Sequence, residues 1–275
     1  MTPIIFTDLD ASLLDEETFS CQPVLPVIEE ITRSGVMIIP NTSKTRVETE
    51  AFLASINLNA PFSVENGANF LGLDRIQCAL PPAGGSNRFG LDIEEVNRRW
   101  EQIGANQINV RDLMAKCLML DEMNSADQTS ILGLGCDDLT RAMQRSHSRL
   151  LLFDGSLDEL DTLKNAVSDA GLKITKGGRV FTLSGIHNKA MPLQYLRDHF
   201  TRAGLKLPQI IAIGDGENDL DMLQAADIPC VIPRKNGFRL DLPDAPNPVF
   251  ATEPAPSGWH YCAKIALERL GIAVK

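Results

Sequence analysis

IIFTDLDASLLD (4–15) and PQIIAIGDGENDLDML (208–223) are the two stretches that decide how this chain is read. Each is a short apolar run that ends abruptly in acids, Asp8 and Asp10 in the first, Asp215 and Asp219 in the second. Apolar runs of that length fit strands buried on both faces of a parallel sheet, and open α/β sheets bind ligands just outside the carboxyl ends of their strands. Two carboxylates at such an exit repel unless a proton or a cation sits between them. Asp8 and Asp10 alone would be equally consistent with a polar strand exit. In the second stretch, a capped turn into a helix accounts for Asn218 and Asp219, with Gly214 and Gly216 allowing a tight bend, but leaves Asp215 unexplained. Four acids at two strand exits therefore point to a site for a hard cation such as Mg2+, which takes oxygen ligands.

Working outward, short apolar runs alternate with amphipathic segments, the pattern of βα units around a parallel sheet. The spacing predicts a helix near 23–34, a strand in VMIIPNTS (36–43), a helix in TRVETEAFLASI (45–56) and a third strand opening PFSVENGANFLG (61–72). Toward the other end it predicts a helix in DLDMLQAA (219–226), a strand in PCVIP (229–233) and a closing helix in GWHYCAKIALERLGI (258–272). Between these blocks PPAGGSNRFG (81–90) reads as a loop, and amphipathic helices such as EEVNRRWEQI (94–103) and LDELDTLKNAVSDAGL (157–172) interleave with short strands such as VFTLSG (180–185). The acid-bearing strands lie on both sides of this middle stretch. It is therefore expected to be an inserted domain over 81–187, in a core made of 1–80 and 188–275.

The 26 basic and 36 acidic residues leave a net charge of −10, which argues against binding nucleic acid or an anionic membrane. A small phosphate ester needs only a local pocket of cations and N–H groups and is not excluded. The six cysteines, Cys21, Cys78, Cys117, Cys136, Cys230 and Cys262, form no closely spaced pair and read as buried thiols. The N-terminus has no signal-peptide pattern, and no run of about eighteen apolar residues offers a membrane span. The expectation is a soluble cytoplasmic protein with no membrane or nucleic-acid partner.

Thr42 and Ser43 follow the apolar run VMIIP and offer hydroxyls at a strand exit, while Lys189 stands in IHNKAMPLQ (186–194) ahead of the GDGEND strand. DLDAS, Thr42/Ser43, Lys189 and GDGEND, in this order, resemble the four motifs of the haloacid dehalogenase (HAD) superfamily. The resemblance implies a Rossmann-like α/β core with an inserted α+β cap of type C2B. NTSKTR (41–46), VENGA (64–68) and GGRVF (177–181) are similar to the mannosyl-3-phosphoglycerate phosphatases. What this implies is a Mg2+-dependent phosphatase acting on a small phosphorylated sugar metabolite. Asp8 would be the nucleophile and Asp10 the general acid and base. Asp8, Asp10 (through its backbone carbonyl), Asp215 and Asp219 would serve the metal, and Thr42, Ser43 and Lys189 the phosphate. Lys44, Arg46, Asn66, Gly67, Arg179 and Asn218 would meet the rest of the substrate. A sugar-phosphate or sucrose-phosphate-like phosphatase, a phosphomannomutase-like phosphomutase with the same nucleophile, and a metabolite-binding regulator that has lost turnover are the competing readings.

Two stretches depart from the family pattern. Ala11 stands where a glycine usually eases the turn after the second acid, and Ser12 keeps only the hydroxyl of the usual threonine. In SHSRL (146–150), Arg149 replaces an expected acid.

Overall fold

The structure, a computed structural model, describes residues 2–76, 87–106, 108–243 and 245–274. Along the chain come β1 (Ile4–Thr7), α1 (Leu25–Arg33), β2 (Met37–Pro40), α2 (Arg46–Ser55), β3 (Phe62–Val64) and β4 (Asn69–Leu71). The middle stretch holds α3 (Ile93–Asn106), α4 (Ile108–Met114), β5 (Cys117–Met119), α5 (Ser125–Leu132), α6 (Cys136–Ala142), β6 (Ser148–Phe153), α7 (Leu157–Asp169), β7 (Leu172–Lys176) and β8 (Phe181–Gly185). The last stretch holds α8 (Met191–Arg202), β9 (Ile210–Gly214), α9 (Leu220–Ala225), β10 (Ile228–Val231), β11 (Val249–Phe250) and α10 (Ser257–Arg269).

Two units result, one of Met1–Ser43, Ala51–Arg88 and Asn188–Lys275, the other of Lys44–Glu50 and Phe89–His187. In the first, a wholly parallel sheet runs β11-β10-β9-β1-β2. Every residue of β1, β9 and β10 is buried, as expected of parallel strands covered on both faces. Trp259, Cys262, Ala263, Ala266 and Leu267 of α10 join Ile211, Ile213 and Cys230 in one apolar core. The run predicted as a third strand begins β3, which pairs antiparallel with β4 in a separate hairpin. The second unit is an antiparallel sheet in the order β5-β6-β8-β7. Val96 and Trp100 of α3 and Leu160, Leu163 and Val167 of α7 pack with Leu151, Leu172 and Leu183 of that sheet.

Two expectations need correction or limits. Cys21, Cys230 and Cys262 are buried, but Cys117 is only partly covered and Cys136 is exposed, because it opens a short surface helix just after Gly135. Cys78 and most of the loop predicted at 81–90 lie outside the described residues.

Candidate active site

The parallel register sets the site. Thr7 at the end of β1 lies opposite Pro40 of β2 and Ile213 of β9, so the three strands finish at one level. Asp8, Thr42 and Asp215 all leave the sheet at that edge. The backbone ties them across the strand ends: Asp8 N–H donates to the Ile213 carbonyl at 2.9 Å and Asn41 N–H to that of Thr7 at 2.8 Å.

Lys189 joins the acids. Its Nζ, wholly buried, lies 2.8 Å from Asp8 Oδ1 and 2.6 Å from Asp219 Oδ1. The other oxygen of Asp219 accepts the N–H groups of Asp215 and Gly216, both at 3.0 Å, which closes the GDGEND turn on itself. A Cβ at Gly214 would fall 2.6 Å from that of Asp219, so the glycine is a condition of the turn. Ser12 Oγ donates to Asp215 Oδ1 at 2.8 Å, which accounts for the hydroxyl retained at that position, and Arg234 Nε donates to Asp215 Oδ2 at 2.7 Å.

Charge is concentrated here. Burial first, then Asp219, pushes the Asp8 carboxyl up to about 8, against the pull of Lys189. Asp215 rises to about 6, again through burial and then Asp219, with Arg234 opposing. Burial disfavours the Lys189 ammonium, but Asp219 and Asp8 outweigh it and raise its pKa. Oxygens of Asp8, Asp215 and Asp219 all lie within 4.8 Å of one another. Three carboxylates face the two cations Lys189 and Arg234, and the donors are all hard oxygens. That set fits a hard divalent cation, which would stabilise the ionised forms that burial disfavours.

The remaining candidates fall into two groups. Thr42 is fully buried beside the turn that carries Asn66 and Gly67, and Asn218 Nδ2 donates to Asn66 Oδ1 at 3.1 Å. Asp10 is half-buried next to Ala11, whose φ of 57° confirms the left-handed turn that glycine usually occupies. Lys44, Arg46 and Arg179 belong to the other unit. There Lys44 pairs with Glu48, Arg46 with Glu50 on an exposed helix face, and Arg179 donates to the Leu132 carbonyl that ends α5. Arg149 is held there by both oxygens of Asp121 and by Glu122, a local acid pair that matches its change of sign.

Sequence reasoning passed over Arg234. It lies just past the end of β10, the neighbour of β9, and a cation at the same sheet edge as the acids was the available signal. It also passed over Trp259, whose Nε1–H donates to Thr7 Oγ1 at 3.0 Å, and nothing in GWHYC marks that contact.

A family model described as haloacid dehalogenase-like hydrolase matches residues 144–235. A phosphatase of the same superfamily from Bacteroides thetaiotaomicron superposes with a TM-score of 0.63 at 18% identity, over 98% of this chain and 96% of its own. A subclass IIB sugar phosphatase also gives 0.63, at 17% identity, over 98% and 99%. Residues 144–235 thus match the haloacid dehalogenase-like hydrolases, and with relatives that are phosphatases the chain is a phosphoric monoester hydrolase. It is similar to the glucosyl-3-phosphoglycerate/mannosyl-3-phosphoglycerate phosphatase of Persephonella marina, 28% identical over 265 residues that make up 94% of each chain. The mannosyl-3-phosphoglycerate phosphatase of Pyrococcus furiosus is 28% identical over 240 residues, 84% of this chain and 91% of that one. No helix among the described residues is long and apolar enough to cross a membrane.

Proposed function

We propose that this protein removes phosphate, with Mg2+, from a sugar-linked phosphate monoester, mannosyl-3-phosphoglycerate or glucosyl-3-phosphoglycerate, in the cytoplasm. The observation that carries the reading is the buried group of Asp8, Lys189, Asp219 and Asp215 at the shared ends of β1 and β9. The names of the relatives supply the substrate class. Mg2+ would be held by the carboxylates of Asp8 and Asp215 and the Asp10 backbone carbonyl, with Asp219 behind them, and would supply positive charge to the phosphoryl oxygens.

Asp8 attacks phosphorus, forming an aspartyl-phosphate as the ester P–O bond breaks. The leaving oxygen takes the proton of Asp10. Asp10, now a base, removes a proton from water, whose oxygen attacks phosphorus. The bond to Asp8 breaks and inorganic phosphate leaves. Thr42, Ser43 and Lys189 hold the phosphoryl oxygens, Lys189 with a charge kept in place by Asp219. The resemblance assigns Lys44, Arg46, Asn66, Gly67, Arg179 and Asn218 to the rest of the substrate.

A panel of phosphate esters scored by kcat/KM tests the reading. The two glycosyl-3-phosphoglycerates should lead the panel, and Asp8→Asn should abolish release while leaving the melting curve cooperative. Phosphate release at parental rate by a folded Asp8→Asn protein would remove the covalent route. A panel led by an unrelated ester would remove the substrate.

A further inference from the structure

VENGA is read above only through resemblance, as substrate contacts by Asn66 and Gly67. The structure gives those residues other neighbours. Glu65, Asn66 and Gly67 take successive φ values of 48°, 60° and 91°, three left-handed residues in a row. Two of them carry a Cβ, and although asparagine tolerates this region a glutamate does not enter it freely, so the neighbours must hold the turn there. The turn is buried, which makes surface adaptation a poor explanation.

The turn touches three separate segments of the site. Asn66 N–H donates to the Thr42 carbonyl at 2.8 Å, and the Asn66 side chain accepts from Asn218 at the start of the GDGEND helix. Gly67 lies against the peptide joining Asn188 to Lys189. A Cβ at Gly67 would sit 2.0 Å from the Asn188 carbonyl oxygen, 2.6 Å from its carbon and 3.1 Å from Lys189 N. That carbonyl is already committed to Met191 N–H in the first turn of α8. On the other side Asn41 Nδ2 donates to the Lys189 carbonyl at 2.7 Å. The backbone of Lys189 is thus gripped between Asn41 and Gly67, and a Cβ cannot be admitted without moving it.

We infer that the Glu65–Asn66–Gly67 turn is a positioning element that sets Lys189 and Asn218 relative to Thr42, and that Asn66 acts on catalysis through Asn218 and not through substrate. The inference rests on the phosphatase reading above. Its consequence is a loss in kcat, because a displacement of about 1 Å in a catalytic group can cost on the order of a hundredfold in rate.

Four variants and two measurements test it. Gly67→Ala should lower kcat on a small aryl phosphate by roughly a hundredfold and change KM by less than about threefold. Gly35→Ala is the control: its φ is 85° and the nearest atom a Cβ would meet is Thr2 Cγ2 at 3.9 Å, so it carries the same backbone strain away from the site. It should lose stability and keep its turnover. Asn66→Ala should also lose kcat. Asn66→Asp should recover most of that loss, since aspartate tolerates the left-handed region and retains the oxygen that Asn218 donates to. If Asn66 instead donated its amide to substrate, Asn66→Asp would be as poor as alanine, and that result overturns the inference.

The second measurement needs no turnover. Acylation of the Lys189 amine, followed by peptide mass spectrometry well below the melting point, should be slow in the parent and in Gly35→Ala. In Gly67→Ala it should be at least about ten times faster, as the amine leaves its buried pair of acids. Equal protection of Lys189 in all three proteins, or equal kcat losses in Gly67→Ala and Gly35→Ala, would show a merely structural turn. A parent that releases no phosphate from any ester defeats the phosphatase reading instead, and the labelling still decides the placement of Lys189.

Discussion

Lys189→Met removes the one cation that, among the described residues, touches both Asp8 and Asp219, at 2.8 and 2.6 Å, with its own amine wholly buried. Methionine fills much of the same space, so the loss is electrostatic more than steric. Breaking a buried ion pair by deleting one partner costs about 3–5 kcal/mol, because a buried charge is left uncompensated. For a chain of this size that lowers the melting temperature by roughly 6–20 °C. The deficit should depend on pH with a definite sign. Without lysine, the charge on Asp8 loses the cation that favours it, so the variant should come closer to the parent near pH 5.5, where Asp8 is protonated, and fall furthest behind it near pH 8. Calorimetry of both metal-free proteins at the two pH values reads this directly, with phosphate release as the parallel assay. Phosphate release should drop by about three orders of magnitude or more, since an electrostatic contact to the transferring group is lost along with the orientation of the nucleophile. A variant that melts within a degree of the parent at both pH values would refute the idea that Lys189 holds the acid cluster together.

The metal reading gives a second pH signature. The Asp8 pKa is raised in the folded state from 3.8 to about 8, so the native protein binds more protons than the unfolded chain across that window. The stability of the metal-free protein therefore declines as pH rises from about 4 to 8, and Mg2+ should raise the melting temperature more near pH 8 than near pH 5.5. An equal gain at both pH values would mean that the buried acids are not the ligands. Ala11→Gly should stabilise the protein by about 0.5–1 kcal/mol, the relief of a left-handed alanine less the added entropy of glycine in the unfolded chain. A lower denaturation midpoint for that variant would place the strain elsewhere. Arg179→Ala separates two roles by comparing a glycosyl-3-phosphoglycerate with a small aryl phosphate. A carboxylate grip predicts a loss of roughly ten- to a hundredfold in kcat/KM on the first alone, whereas a role confined to ending α5 at Leu132 lowers both through stability.

Much of the core was legible in the sequence because its signals are local. Apolar runs ending in acids at Asp8 and Asp215 mark buried strands and their exits without any knowledge of their neighbours. Ala11 could be suspected of a positive φ because it stands where the resembled family usually has glycine, and its φ of 57° bears that out. The antiparallel pairing of β3 with β4 was less accessible, since a short apolar run does not reveal which partner it will find. The exposure of Cys136 was missed for a similar reason: neighbouring residues describe a cysteine's sequence context, not what folds over it.

Sequence by itself determined the chemistry available: two pairs of acids at strand ends, one lysine ahead of the second pair, and glycines where the chain must bend. The acids and glycines follow from hydrophobic runs and turn residues within about ten positions, whereas the lysine stood out only through the order of motifs that the family resemblance supplies. Only the tertiary structure decided which of these groups meet. Arg234 reaches Asp215 because β10 lies beside β9, and Gly67 bears on Asn188 because a left-handed turn brings two distant segments into contact. The rise of the Asp8 pKa is of the same kind, since it comes from burial and from Asp219, far along the chain but adjacent in the fold. Burial, register and the distance between charges are properties of packing, and they turn a list of acids into a site where two acids are held against one ammonium.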